Sequence, residues 1–90
     1  MLKTLEELIA VIRERKKSST DKSYTRKLLN DQKLSIEKVK EEATELIEAI
    51  EKNTNKIHEA ADVLYHLMVL LEASGIKIED VMDELKKRKK

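Results

Sequence analysis

Five acids stand at helical spacing in two stretches of this chain. Glu41, Glu42 and Glu45 form the first, and Glu59 and Asp62 the second, with His66 one turn beyond Asp62. On a helix, residues three or four apart share a face. The second stretch, Glu59 to Leu71, is otherwise largely apolar, so its helix is expected to be packed on nearly every side. An ionised carboxylate there is costly unless something positive meets it. That partner is a basic side chain or a metal ion. No obvious cation in the sequence matches these acids, which favours the metal.

Glu41, Glu42 and Glu45 taken alone read as a solvated acidic face, softened by Lys38 and Lys40. Like charges at this spacing repel by only about a few tenths of a kcal/mol per pair. The second stretch changes the balance. Two antiparallel helices, each with acids one turn apart, can converge four carboxylates on one point, where they repel strongly without divalent cations. Oxygen-only ligands select Mg²⁺ or Mn²⁺ over zinc. Magnesium commonly bridges to phosphate oxygens, so the chemistry indicated is phosphate-bond cleavage by metal-activated water. Glu48 and Glu51 read as surface residues.

The groups around the acids each have two readings. His66 touches a substrate or orients Asp62 through a hydrogen bond; otherwise it is a core histidine satisfied by a neighbour. Tyr65 reads as a packing residue with a wet hydroxyl, and Met68 and Met82 as core. Lys22, Arg26, Lys27 and Lys38 are phosphate binders or ordinary surface, and for Lys22 the surface reading is better. Lys38 lies one turn before Glu41 and Glu42, on the side that reaches a metal-held phosphate.

These residues need helices to position them. The 90 residues make one domain, 1–90, with no Trp, no Phe, no Pro and one glycine. Such a composition disfavours strands and hairpins and indicates an all-α bundle of four to five helices. Thr4 and Glu7 suggest a capping box opening a helix from Thr4 to Lys16. Lys16 to Lys22, with Ser18, Ser19, Thr20 and Asp21, reads as a loop. Ser23 caps a short helix, and Asn30 to Ser35 is another connection. Ser35 caps a helix running to Lys52, whose apolar face is Val39, Ala43, Leu46 and Ile50, with Ile47 beside them. Asn55 caps the next helix, Lys56 to Ala73, and Gly75 stops it. Ile78, Val81, Met82 and Leu85 mark the last helix, which ends in the basic run Lys86 to Lys90.

The bulk numbers narrow the function classes. Charged residues are 41% of the chain, but the net charge is only +1, so neither nucleic acid nor a membrane surface is demanded. No cysteine means no thiol chemistry. No signal peptide or membrane-spanning run is visible, so a cytoplasmic protein is expected. A chain this short buries a modest share of its surface, and dimerisation would complete it.

Three motifs carry a family resemblance: Ser23-Tyr24-Thr25-x-Lys27-Leu28-Leu29, Lys38-Val39-x-Glu41-Glu42-Ala43-Thr44-Glu45, and Glu59-Ala60-Ala61-Asp62-Val63-Leu64-Tyr65-His66-Leu67. They closely resemble the phosphoribosyl-ATP pyrophosphatase family. The acidic motif is shared by all α-helical nucleotide pyrophosphatases of the MazG type, and the Ser-Tyr-Thr segment and the Tyr-His pair narrow the match. The resemblance implies the MazG-like all-α fold, usually a homodimer. It also implies the second step of histidine biosynthesis, hydrolysis of phosphoribosyl-ATP between its α and β phosphates with Mg²⁺. It places metal ligands at Glu42, Glu45, Glu59 and Asp62, with Glu45 also catalytic and Glu41 as a further ligand or water-orienting base. Tyr24, Thr25, Lys27, Lys38 and His66 are the implied substrate contacts. Some members carry a fused cyclohydrolase domain; this chain is too short to hold one, so that activity is expected to be separate. The family often has Gly where Lys40 stands and in the loop near Gln32; neither change removes a carboxylate. Two competing readings remain: a MazG-type pyrophosphatase of other nucleoside triphosphates, and a non-enzymatic helical interaction module.

Overall fold

A computed structural model describes residues 2–18 and 22–89 of the chain. These residues form five helices and, among them, no strand: α1 Lys3–Lys17, α2 Tyr24–Leu29, α3 Gln32–Lys52, α4 Lys56–Ala73 and α5 Ile78–Arg88. Ser19, Thr20 and Asp21 of the expected first loop lie outside the described residues, as does Lys90 at the basic end.

Local signals explain several helix ends, though not always through the expected residue. The Ser23 hydroxyl accepts the Arg26 N–H at 3.2 Å and starts α2 as expected. Thr4 and Glu7 form no capping box; Leu2 precedes α1 with no side-chain cap, and Thr4 lies inside the helix. The start of α3 is also corrected. Asp31, not Ser35, is the cap, accepting the Leu34 N–H at 3.0 Å. Most of the expected Asn30-to-Ser35 connection, Gln32 included, is therefore helix. Ser35 is buried, and its hydroxyl donates to the Leu28 carbonyl at 2.7 Å. That bond joins the Asp31 N–H, at 3.2 Å, on a carbonyl at the end of α2 that has no partner within its own helix.

Left-handed residues turn the chain at both ends of α4. Asn53 closes α3 at φ 54, with the Thr54 N–H reaching the Ala49 carbonyl at 2.9 Å. Asn55 then precedes α4 at φ 50, but its side chain makes no capping bond. Asparagine tolerates this region better than most residues. Gly75 (φ 73) follows α4, and the Ile76 N–H returns to the Leu71 carbonyl at 2.9 Å. This is the glycine-dependent helix ending expected from the sequence.

The three-residue turn makes α3 and α4 an antiparallel hairpin, the most extensive helix pairing in the molecule. The core lies toward the C-terminal half of α4, where Met68 and Val69 meet Ile12 of α1 and Leu28 and Leu29 of α2. Polar ties fasten the periphery. Arg26 of α2 donates to the Arg15 and Lys16 carbonyls at the end of α1. Lys16 donates to the Glu72 carbonyl at 2.7 Å, and Arg13 joins Glu72 of α4 and Glu79 of α5.

One expectation about the organising helix fails. Helix α4 is not covered on every side: Ile57 is 88% exposed and Leu64 47%. On α3, Ile47 and Ile50 are 59% and 58% exposed, although Ile50 was assigned to the apolar face. Met82 of α5, expected in the core, is half exposed, whereas Met68 is buried. The cause is geometric. Helices α1 and α2 cover the end of α4 that follows Tyr65, and no described helix of this chain covers the hairpin's opposite end. Among the described residues no helix is long and apolar enough to cross a membrane.

Candidate active site

The hairpin brings the two acidic stretches together. Glu45 lies across from Glu59, and Glu42 from Asp62, as the order of an antiparallel pair demands. Side-chain oxygens of Glu41, Glu42 and Glu45 lie within 4.8 Å of one another, and ligand atoms of His58, Glu59 and Asp62 form a second set equally close. The two sets are not independent. The charges of Glu45, Asp62 and Glu59 all act on Glu42.

The electrostatics show the strain in this arrangement. Burial, a hydrogen bond with Glu45 and the surrounding carboxylates push Glu42 up to about 7. Burial and the charge of Glu45 also raise Glu59, against a smaller opposing pull from His58. One oxygen of Glu42 and one of Glu59 are buried with no hydrogen-bond partner. Among the described residues no cation pairs with Glu42, Glu45 or Glu59. Buried, unpartnered, like-charged oxygens are what a divalent cation neutralises, and an all-carboxylate core suits a hard one. The residues present therefore fit a divalent metal.

Two acids have basic side chains beside them, of which Lys38 was expected from the sequence and His58 was not. His58 Nε2 stands 3.3 Å from Asp62 Oδ2, and Lys38 Nζ is 3.3 Å from Glu41. His58 is the functional candidate that sequence reasoning missed. The available signal was its four-residue spacing to Asp62. It makes the Asp62 contact that the sequence reading offered to His66. His66 itself is 7% exposed. Its ring meets the edges of Tyr65 and Tyr24, at centroid distances of 5.0 and 6.1 Å. Burial holds its pKa below the ordinary value, so the imidazole is neutral at pH 7, and Nδ1 has no partner.

The remaining candidates separate. Lys38 stands beside Glu41, Glu42, Tyr24 and His66, next to the carboxylate centre. Tyr24 is half exposed and Lys27 exposed, both on α2. The Thr25 hydroxyl bonds the Tyr65 hydroxyl at 2.5 Å. Arg26 is committed to the α1 carbonyls. Lys40, Glu48 and Glu51 are on the surface, as expected.

The raised Glu42 pKa predicts a pH dependence of the metal-free protein. Below its ordinary value of 4.5 both folded and unfolded states hold the proton, and the shift costs nothing. As pH rises from there through about 7, the unfolded state ionises first and stability falls. His66 gives the opposite slope, because the unfolded imidazole takes up a proton at a higher pH than the buried one. The comparison is therefore between wild type and Glu42→Gln, melted in chelator from pH 5 to pH 8. The variant should gain stability on wild type as pH rises; a constant difference would contradict the shift.

The model of the phosphoribosyl-ATP pyrophosphohydrolase family matches residues 5–89. The chain belongs to that family. It is 46% identical over 88 residues to the phosphoribosyl-ATP pyrophosphatase of Allorhizobium ampelinum, covering 94% of this chain and 85% of that one. The protein of the same name from Sulfurisphaera tokodaii is 46% identical over 89 residues, covering 96% and 95%. A chloroplastic histidine biosynthesis bifunctional protein of Arabidopsis thaliana is 45% identical over 95 residues. That match takes in 97% of this chain but only 34% of the plant protein. The chain thus spans most of the single-activity relatives and about a third of the bifunctional one.

Proposed function

We propose that this chain hydrolyses phosphoribosyl-ATP between its α and β phosphates, giving phosphoribosyl-AMP and pyrophosphate, the second step of histidine biosynthesis. The observation that carries this reading is the convergence of Glu42, Glu45, Glu59 and Asp62, with buried oxygens of Glu42 and Glu59 left unpartnered. These four carboxylates would hold Mg²⁺, or Mn²⁺ in its place. Bound there, the metal supplies charge neutralisation and a nucleophilic water at neutral pH.

The chain's own residues account for the rest. Glu45 lies between the two acidic sets, its charge acting on both Glu42 and Glu59. Glu41 is exposed and, among the described residues, pairs with Lys38 through one oxygen, which leaves the other to orient the attacking water and take its proton. Lys38 can exchange Glu41 for a phosphate oxygen, so binding of the polyphosphate frees Glu41 for that role. Tyr24 and Lys27 present an aromatic surface and a cation to the nucleotide from α2. The neutral His66 has a ring nitrogen without a partner and lies against Tyr24.

The test is pyrophosphate release from phosphoribosyl-ATP with Mg²⁺ and with excess chelator. Metal-dependent turnover is expected. Release from simple triphosphates, with none from phosphoribosyl-ATP, would move the protein to the wider MazG-type class. No release from either, in a folded sample, would leave a helical interaction module.

The reading extends to assembly. A second copy of this chain covers the exposed aliphatic side chains Ile47, Ile50, Ile57 and Leu64, making a homodimer in the cytoplasm. Bare aliphatic side chains on both helices of a hairpin are the usual mark of an interface. Sedimentation should give twice the chain mass for wild type and a shift toward monomer for Ile47→Glu. A monomeric wild type at micromolar concentration would refute the assembly.

A further inference from the structure

Helix α2 has only six residues, too few to hold its own shape in water. Its position comes from its neighbours. Its C-terminal half is held by packing, with Leu28 and Leu29 in the core and Ser35 donating to the Leu28 carbonyl, and Arg26 at mid-helix holds the end of α1. Its N-terminal turn carries Tyr24, and there two contacts reach across to α4: the ring of Tyr24 against His66 at 6.1 Å and the 2.5 Å hydrogen bond between Thr25 Oγ1 and the Tyr65 hydroxyl. Tyr65 lies three residues after Asp62, next to His66, so the same turn of α4 that supplies a carboxylate also holds α2. The two tyrosines flank His66 edge-on. This leaves Tyr24 and Lys27, three residues apart, together on a face of α2 that reaches solvent.

We propose that Tyr65 and Thr25 form a positioning latch, which sets the distance of Tyr24 and Lys27 from the carboxylate centre. Thr25 then acts through Tyr65 and does not touch the nucleotide. Tyr65 becomes a positioning residue instead of a packing residue with a free hydroxyl. The proposal rests on the reading of function above only for what Tyr24 and Lys27 bind; the latch itself belongs to the fold.

The experiment compares wild type with Tyr65→Phe, Thr25→Val, the double variant and Thr25→Ser. It uses steady-state kinetics on phosphoribosyl-ATP and amide hydrogen exchange on the substrate-free protein. Tyr65→Phe and Thr25→Val should each raise KM by between about threefold and tenfold, the range for one lost hydrogen bond, with kcat nearly unchanged. The double variant should be no worse than either single one, because both remove the same bond. Thr25→Ser, which keeps the hydroxyl, should behave as wild type. Exchange should rise at Arg26 and Lys27, whose N–H groups bond the Ser23 hydroxyl and carbonyl at the start of α2, in Tyr65→Phe and stay unchanged in α3.

Three outcomes would overturn the latch. KM raised by Thr25→Val but not by Tyr65→Phe would place Thr25 directly on the substrate. A lowered melting temperature with KM unchanged would make the bond purely structural. Unchanged exchange in α2 would remove the latch whatever the kinetics. If wild type itself fails to turn over phosphoribosyl-ATP, the function reading falls, and hydrogen exchange still decides the latch.

Discussion

Glu45→Gln is expected to lower kcat for phosphoribosyl-ATP by about a thousandfold, in the range seen when one preorganised electrostatic group is lost. It is also expected to raise the melting temperature of the metal-free protein. The two effects share one cause. Glu45 raises both Glu42 and Glu59 by its charge, so it contributes repulsion on both helices of the hairpin. Glutamine keeps the shape and removes the charge. Without metal, that relieves the repulsion; with metal, it removes a ligand and weakens the site that depends on four carboxylates. Turnover with Mg²⁺ and melts in chelator check the two halves separately. A variant that loses both activity and metal-free stability would indicate that Glu45 is structural, and full activity would remove it from the site.

Leu28→Ala should cause the largest loss of stability among the substitutions considered. Leu28 is fully buried and lies in the cluster where α1, α2 and α4 meet. Truncating a leucine in such a place costs about 2–5 kcal/mol, against a total of about 5–15 kcal/mol for an ordinary domain. Alanine is an excellent helix former, so the cost falls on packing and not on helix propensity. The melting temperature should drop by upwards of about 10 °C. The consequence is also functional, because α2 carries Tyr24 and Lys27. Where the variant remains folded, its KM should rise more than that of Tyr65→Phe. Urea unfolding measures the stability change; a cost below about 1 kcal/mol would show that the cluster closes around the smaller side chain.

The sequence by itself determined the carboxylate centre. Its spacing is a local property of two helices, and the three-residue turn between them leaves only an antiparallel pairing, so Glu42, Glu45, Glu59 and Asp62 were bound to meet. Ser23 and Gly75 were legible for the same reason, since a cap and a left-handed stop act within a few residues of themselves. The family was legible because its motifs lie in these short stretches.

Other features depended on residues far apart in the chain. Ser35 was the expected cap of α3, and Asp31 takes that place. The Ser35 hydroxyl goes instead to the Leu28 carbonyl, seven residues before it, across the bend between α2 and α3. The hydroxyl partner of Thr25 was not legible, because it is Tyr65, forty residues on, that α4 brings to it. Arg26 looked like a phosphate binder until α1 offered its last carbonyls. Periodicity showed that Ile50 and Leu64 were apolar, but not which apolar faces one chain has enough helices to cover. Helical spacing acts over a turn or two, whereas burial and hydrogen-bond partners are set by whichever helix arrives across the bundle, and only the tertiary structure decided that.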